Sequence, residues 1–370
     1  MKTYLNASKI AKIKNDLMEK FTEYQQMIGD LNITKRCDYK VIRYIGAGGY
    51  GVVKLAQNNR NGEHVVLKFS KHINGTYVRK STVRELCLLS QFDHPHIIKL
   101  LDICLELRKI NDRILPRFTL ALELCRCDLR SLIFGQIRYQ PIHSQSIFQQ
   151  ILLGLEHLHR YLNGSIRRQY LFHFIQFFSR NIIHRDLKPA NVLIGLNGFV
   201  KLGDFGLARE MNQENLHTPH VGTKRYMPPE ILLKVRTYNE SFDMFAAGVI
   251  LTELFGRKCL FRGDSLTSIT RSMVRLLGKV DNSSLPGSEQ CQSYRFLFSR
   301  HPPGEPQLSN ALHERGLADE AANLVEKLLS INPEDRPSAS EALAHPYFTN
   351  FTLPPEDLLT VLPEELGTYD

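Results

Sequence analysis

The chain has 370 residues, of which 43% are hydrophobic and 23% are charged, as in an ordinary globular protein. Its 47 Lys and Arg residues outnumber its 38 Asp and Glu residues, for a formal net charge of +9 at pH 7. We interpret this excess as solvated surface charge and predict no nucleic-acid binding, because no basic stripe with interleaved aromatic residues is present. No apolar run reaches the length of about 18 residues that a membrane span needs, so no membrane segment is predicted.

The cysteines indicate a reducing compartment rather than a metal centre. There are seven of them, and since no secretory signal is recognisable we expect reduced thiols in the cytoplasm, the nucleus or both. Cys125 and Cys127 form a C-x-C pair, but no second pair lies at the spacing of a zinc site, so structural cysteines are favoured.

Residues 1–38 predict a helical extension. Apolar residues recur there at helical spacing, at Ile10, Ile13, Leu17, Phe21, Tyr24 and Ile28. Such a helix packs on the domain that follows or binds a partner; we favour packing, or partial disorder.

A strand, a glycine-rich turn and a second strand are predicted over residues 39–55. The turn contains Ile45, Gly46, Ala47, Gly48, Gly49, Tyr50, Gly51, Val52 and Val53. Glycines let backbone N–H groups approach phosphates without obstruction by side chains. Similar glycine spacing occurs in dinucleotide-binding proteins, where a helix follows at once, whereas here another strand follows.

Lys68 ends the next predicted strand, and Glu85 is the only acid in a helix predicted over residues 81–92. A lysine at the end of a strand is usually only a surface charge. An ion pair between Lys68 and Glu85 would form only while the helix is docked, so the pair would act as an on/off element. Further helices are predicted over residues 144–161 and 319–329.

Two polar motifs follow. Asp186 lies in residues 184–191 (HRDLKPAN), and Asp204 lies in residues 201–206 (KLGDFG). A β-hairpin between the motifs would bring the two carboxylates to one bound nucleotide. Paired acids are more often surface charges than metal ligands, but the D-F-G context favours metal binding here.

These motifs resemble those of eukaryotic serine/threonine protein kinases over residues 39–348, most closely the cyclin-dependent kinase-like (CMGC) group. The resemblance implies an α+β, bilobal protein kinase fold. A small β-rich lobe with one regulatory helix spans 39–124, and a larger, mainly helical lobe spans 125–348 with an atypical insertion at 162–180. An acidic tail covers 349–370.

The resemblance also implies the activity and its residues: transfer of the γ-phosphate of Mg-ATP to Ser or Thr of protein substrates. Asp186 orients the substrate hydroxyl, and Lys188 stabilises charge on the phosphate. Thr223 contacts the side chains of Asp186 and Lys188. Asn191 and Asp204 hold Mg²⁺.

The implied ATP site uses the turn residues 45–53 together with Lys68, which binds the α- and β-phosphates, and its partner Glu85. Backbone groups of Glu123 and Cys125 meet the adenine edge, and Leu122 lies behind it. Leu193 belongs to the same site, as does Val66, which replaces the smaller alanine of the family.

Three structural features are implied as well. His184, Phe205, Leu89 and Leu100 form an apolar column that links the lobes. Glu230 pairs with Arg336 in the interior, and Asp243 accepts hydrogen bonds from the backbone of the catalytic loop.

Regulatory positions are present too. Thr218 matches the activating phosphothreonine of the family, and its phosphate-binding arginines match Arg84, Arg185 and Arg209. Tyr50 matches an inhibitory phosphotyrosine. Residues 82–86 resemble the helix that faces the cyclin, which implies a cyclin-like activator and an upstream activating kinase. Thr218 is followed by Pro219 and His220, so the dual phosphorylation of mitogen-activated kinases is not expected.

Two departures from the family stand out. Met227 occupies the position of an arginine that helps to select proline after the target residue, so proline direction is left open. The insertion 162–180 contains four Phe and is either a surface loop, which costs only roughly 1.4 kcal/mol of closure entropy, or a retained intron. We favour the intron.

Two rival interpretations are a cyclin-independent kinase of the same group and a catalytically impaired scaffold with the kinase fold. Only the insertion favours the scaffold, since Lys68, Glu85, Asp186, Asn191 and Asp204 are all intact.

Overall fold

The computed structural model describes residues 33–34, 38–47, 51–70, 72–73, 77–78, 80–110, 113–160, 182–210, 222–234, 239–298, 304–349, 351 and 354–362. Four predicted features lie outside these residues: residues 1–32 of the N-terminal helical extension, the turn residues Gly48, Gly49 and Tyr50, the insertion 162–180, and Thr218.

The smaller lobe is built on a six-stranded sheet in the order β1-β7-β8-β4-β3-β2. Its strands are β1 (Ile33–Thr34), β2 (Tyr39–Ala47), β3 (Gly51–Asn58), β4 (His64–Ser70), β7 (Leu100–Ile110) and β8 (Arg113–Glu123). A short ribbon of β5 (His72–Ile73) and β6 (Tyr77–Val78) leads into helix α1 (Lys80–Leu89).

Strand β1 was not predicted. It pairs in parallel with β7, Ile33 opposite Ile103, whereas the other neighbouring strands of the sheet are antiparallel. The helical interpretation of residues 1–38 is therefore wrong for Ile33 and Thr34. Both residues are β-branched, which favours a strand once an open sheet edge is available.

Strand β4 shows how the sheet sorts side chains between core and cleft. Val65, Leu67 and Phe69 are buried in the lobe, in the alternation expected of a strand with one face on the core. The same alternation sends Val66 and Lys68 to the opposite face, toward the larger lobe.

The larger lobe is mainly helical. Its helices are α2 (Leu129–Phe134), α3 (Pro141–His159), α4 (Pro229–Leu232), α5 (Ser241–Gly256), α6 (Leu266–Leu277), α7 (Tyr294–Leu297), α8 (Leu308–His313), α9 (Asp319–Leu328) and α10 (Ala339–Leu343). Its strands are β9 (Cys125–Asp128), β10 (Ile182–Ile183), β11 (Val192–Gly195), β12 (Val200–Leu202) and β13 (Arg209–Glu210).

Helix α5 is the centre of this lobe. Its sequence is apolar on all sides, and the structure buries it on nearly all sides, as expected of an internal helix. Asp243 in its first turn is fully buried and points at the catalytic loop.

The predicted helices are present with shifted ends. The helix predicted over 81–92 ends at Leu89. Pro95 follows shortly after, and the residue before a proline favours extended backbone over helix. The helix predicted over 144–161 begins at Pro141. Proline lacks a backbone N–H, and the first helical turn tolerates it because an N–H there would have no partner within the helix.

Candidate active site

Lys68 is held between two carboxylates. Its Nζ lies 2.6 Å and 2.8 Å from the two oxygens of Glu85 on α1, which confirms the predicted ion pair. The same Nζ lies 2.9 Å from Oδ1 of Asp204. Burial disfavours the ammonium, but Glu85 and Asp204 outweigh it and raise the pKa of Lys68. Lys68 therefore stays charged.

Asp204 faces Lys68 from the larger lobe. It stands in the left-handed region at φ 60°, directly before the 3₁₀ turn Phe205–Leu207. Burial opposes its ionisation, but the Lys68 ammonium outweighs this effect and lowers the pKa of the carboxyl. The hairpin of β11 and β12 separates it from the catalytic loop, as predicted.

Asp186 lies at the centre of a polar cluster. Its Oδ1 accepts hydrogen bonds from the backbone N and the Oγ1 of Thr223, both at 3.0 Å. Its Oδ2 lies 2.8 Å from Nζ of Lys188, which in turn donates to Thr223 Oγ1 at 3.1 Å. The predicted contact of Thr223 with both residues is confirmed.

Asn191 ties the end of the loop to Asp186. Its Nδ2 donates to the Asp186 carbonyl at 2.8 Å and to Oδ2 at 3.1 Å. Because the amide nitrogen is used in this way, the amide oxygen of Asn191 is left to face a ligand.

Asp243 fixes the backbone of the catalytic loop, as predicted. It accepts from the N–H of His184 at 2.7 Å and from the N–H of Arg185 at 2.9 Å, and it also contacts His159 Nε2 at 3.0 Å. Burial alone would raise the pKa of Asp243. Its hydrogen-bond partners, His159 foremost, outweigh burial, so the pKa of Asp243 is lowered overall. A buried carboxylate thus holds Arg185 at φ 65°.

A cavity of about 520 Å³ opens between the lobes beside these groups. Most of the predicted ATP-site residues that the structure describes line it: Ile45, Gly46, Ala47, Gly51, Val53, Val66, Lys68, Glu85, Leu122, Glu123, Cys125 and Leu193. The predicted metal-binding residues Asn191 and Asp204 line it as well.

Val52 does not line the cavity, so its assignment was wrong. Successive side chains of β3 point to opposite faces, and Val52 packs with Ala56 and Phe69 in the core of the small lobe. Sequence reasoning also missed several residues that line the cavity, namely Tyr44, Ile98, Arg130, Ala190 and Gly203. Ala190 and Gly203 lie inside the two polar motifs, but no role was predicted for them.

The oxygen donors of this cavity suit Mg²⁺. This ion is usually held by one or two carboxylates together with substrate phosphates, and Asp204 with the amide oxygen of Asn191 provides such a pair. Among the described residues, no group of three or more His, Cys, Asp or Glu side chains is placed to bind a metal. A Mg²⁺ ion at this site would therefore depend on phosphate ligands.

The predicted apolar column and the interior ion pair are both present. The rings of His184 and Phe205 lie 5.1 Å apart, Leu89 is buried in the same core, and Leu100 packs against it. Glu230 Oε1 lies 2.6 Å from Arg336 Nη1, and its Oε2 lies 2.9 Å from Nη2, with both side chains buried.

The predicted phosphate-binding arginines converge beside α1. Arg84 donates to the carbonyl of Gly206 at 2.7 Å. Burial, and then the charges of Arg209 and Arg185, lower the pKa of Arg84 to about 10. Three guanidinium groups thus repel one another here, which favours an anion among them.

The segment after Gly222 contacts Asp186 through Thr223 and is anchored in the larger lobe. Arg225 donates to the Gly263 carbonyl at 2.8 Å and pairs with Asp264 Oδ1 at 3.0 Å. The Tyr226 hydroxyl donates to Glu253 Oε2 at 2.8 Å. Met227, where the resembled family has an arginine, is buried.

No described helix combines the length and the apolar character that crossing a membrane requires. The described cysteines form no disulfide bond, and Cys125 and Cys127 are buried.

Comparison with known proteins agrees with this geometry. The model of the protein kinase domain matches residues 39–348. Mitogen-activated protein kinase 6 of Oryza sativa subsp. japonica is 33% identical over 314 residues, which cover 84% of this chain and 76% of the relative. Extracellular signal-regulated kinase 2 of Dictyostelium discoideum is 32% identical and covers 86% of this chain and 81% of the relative.

A solved structure is similar as well. A chain from the yeast RNA Pol II CTD kinase CTDK-1 complex superposes with a TM-score of 0.71 at 26% identity, covering 88% of this chain and 97% of that chain. Members of the protein kinase family generally use ATP and Mg²⁺. The chain belongs to the protein kinase family, and it is a serine/threonine protein kinase of the CMGC group.

Proposed function

We propose that this kinase transfers the γ-phosphate of ATP to serine or threonine hydroxyls of protein substrates, with Mg²⁺ as cofactor. The observation that carries the proposal is the position of Lys68, whose Nζ lies within 2.9 Å of both Glu85 and Asp204 in the cavity. Three segments distant in sequence meet there only when the small lobe, α1 and the D-F-G motif are all in place.

Each residue then has a defined task. Lys68 holds the α- and β-phosphates, and Asp186 accepts a hydrogen bond from the substrate hydroxyl to orient it. Lys188 stabilises the negative charge that develops on the transferred group. Asn191 and Asp204 would hold Mg²⁺, which when bound neutralises charge on the β- and γ-phosphates.

The test is transfer of radiolabelled phosphate from Mg-ATP to a peptide panel. We would compare the full chain, a chain lacking residues 162–180, and Asp186→Asn in each. Activity that disappears with Asp186→Asn establishes the proposal, because the variant keeps size and removes the acceptor charge. Activity confined to the shortened chain would identify the insertion as the inactivating element. Equal activity of wild type and Asp186→Asn would refute the role of Asp186.

Phosphorylation of Thr218 is proposed as the activating step. Arg84, Arg185 and Arg209 supply three positive charges that repel one another, and a phosphothreonine carries about −1.5 to −2 charges at neutral pH. Thr218→Ala should lower activity strongly after treatment with an upstream kinase. Unchanged activity of this variant would remove the claim.

A cyclin-like activator is proposed on the likeness of residues 82–86 to a cyclin-facing helix. A second candidate, a cyclin-independent kinase of the same group, is favoured by a specific observation. Helix α1 is docked in the single chain through Lys68–Glu85 and through Arg84, which donates to Gly206 at 2.7 Å. Full activity of the purified chain, with no gain on addition of cyclins, would select the second candidate.

A further inference from the structure

The turn next to Asp186 and Lys188 carries Lys224, an exposed lysine with no ion-pair partner among the described residues. Lys224 follows Thr223, which contacts both Asp186 and Lys188, and it begins a 3₁₀ turn that ends at Tyr226. Its side chain is exposed. Within the described residues, no carboxylate lies within ion-pair distance of Lys224.

The neighbouring charges of this segment are already balanced. Arg225 is neutralised by Asp264 at 3.0 Å. The segment's own acid, Glu230, is buried against Arg336. Glu253 is also buried and accepts the hydroxyl of Tyr226. Among the described charged residues of the segment from Gly222 to Glu230, Lys224 is thus the one without an ion-pair partner.

Helix α6 adds to the positive potential. It packs against the turn of Lys224–Tyr226, and it contains no Asp or Glu. Its two arginines, Arg271 and Arg275, are exposed. Helix α6 therefore adds positive charge next to the turn that carries Lys224.

Lys224 lies within reach of the residues that flank a target hydroxyl. The Cα of Lys224 is about 3.8 Å from that of Thr223 across a trans peptide, and an extended peptide advances about 3.3 Å per residue. The sequence neighbours of a hydroxyl that is hydrogen-bonded to Asp186 therefore come within reach of the long Lys224 side chain.

We propose that this kinase selects serine or threonine residues with an anionic neighbour, and that Lys224 is the residue that determines this specificity. The neighbour is Asp, Glu or an already phosphorylated residue. Buried Met227 supplies no charge of its own to this side of the site. The inference rests on the proposed phosphate transfer and names the substrate class of the same site.

The experiment uses peptides that share one target serine and differ only in a flanking residue, which is Asp, phosphoserine, Pro or Lys. Affinity is measured by fluorescence anisotropy on copies with Ala in place of the target, and kcat/KM is measured on the serine peptides. The proteins are the full chain, Lys224→Gln and Lys224→Glu. Lys40→Gln, an exposed lysine on β2, is the matched control.

We expect wild type and Lys40→Gln to favour the Asp and phosphoserine peptides over the Lys peptide by about two- to fivefold per charge. Lys224→Gln should weaken this preference, because the arginines of α6 remain, and Lys224→Glu should reverse it in favour of the Lys peptide. Added salt should reduce all differences, because the screening length falls from about 10 Å at 0.1 M to about 3 Å at 1 M.

The outcomes separate this inference from the activity itself. An unchanged ranking of peptides in Lys224→Glu would overturn the inference, as would a wild type that ranks the Pro peptide first. A preference for phosphoserine without one for Asp would support it and assign the anion to prior phosphorylation. Charge-dependent binding without any transfer would support the inference while contradicting the proposed function.

Discussion

The two sides of Asp186 differ in how closely they follow the protein kinase pattern. On the nucleotide side, Lys68, Glu85, Asn191 and Asp204 are the residues that the family pattern demands, and they meet at hydrogen-bond distances. On the substrate side, the segment from Gly222 to Glu230 departs from the resembled group at Met227, yet it is anchored just as firmly.

The difference follows from what each side binds. The nucleotide is the same in every kinase, so its phosphates require the same charges at the same distances. The protein substrate varies from kinase to kinase. The segment proposed to face it must therefore be held firmly in the lobe, while its exposed side chains can differ. Here the anchors are Thr223 on Asp186, Tyr226 on Glu253 and Glu230 on Arg336.

Lys68→Met should produce the largest effect, since it breaks the nucleotide side at its centre. It leaves Glu85 and Asp204 facing each other without a cation, which disfavours the docked position of α1. We expect kcat/KM for ATP to fall about a hundredfold or more, measured by steady-state transfer kinetics. Lys54→Met, on neighbouring strand β3 over the Phe69 ring, is the control; similar losses in both variants would contradict the assigned role.

Gly222→Ala should have an intermediate effect on the substrate side. Gly222 has φ +118°, and an added Cβ would lie 2.7 Å from the carbonyl oxygen of Arg185. The clash pushes the segment away from the catalytic loop, so we expect kcat to fall about tenfold or more, in line with strain of roughly 1–3 kcal/mol. The change should appear in steady-state kinetics with little change in KM for ATP.

Gly287→Ala is the matched control for that variant. Gly287 is also left-handed at φ +82°, but a Cβ there meets nothing within 4 Å. It should cost stability, seen as a lower Tm, and leave kinetics unchanged. If both alanine variants keep wild-type kinetics, the close approach of Gly222 to the catalytic loop does not matter for activity.

Glu253→Gln should have the smallest effect and should appear mainly as a change in pH dependence. Burial raises the pKa of Glu253 from 4.5 to about 7 in the folded chain. The folded state therefore binds more protons than the unfolded state between these values, and stability falls as pH rises through this window.

The variant has no such proton to lose. Its free energy of unfolding relative to wild type should rise between pH 5 and pH 8 by up to about 3 kcal/mol, measured by urea denaturation. The glutamine keeps an acceptor for the Tyr226 hydroxyl, so activity near neutral pH should be retained. Glu320→Gln, exposed on α9, is the control, and an equal pH trend in both variants would exclude Glu253 as the cause.

Many contacts on the nucleotide side were predictable because their residues belong to short contiguous sequence motifs. The Lys68–Glu85 pair, the contact of Thr223 with Asp186 and Lys188, and the pairing of Glu230 with Arg336 were all predicted and are confirmed. Val52 was wrongly assigned because the motif does not show which face of β3 each side chain is on. The register of β3 with β4 decides that, and it places Val52 on the core face. Arg130 was missed because it reaches the cavity from α2, which carries no motif, and Tyr44 was missed because it directly precedes the glycine-rich turn.

The sequence by itself determined the family, the residues of the catalytic loop and the two residues proposed to hold Mg²⁺, because those positions are tied to chemistry and occur at fixed local spacing. Only the tertiary structure decided which charges remain unbalanced. Arg225 and Lys224 are adjacent in sequence, yet Arg225 is neutralised by Asp264, 39 positions away, and Lys224 is left exposed. The physical reason is that charge compensation acts over a few ångströms in space, and the partners that supply it are brought together only when the chain folds.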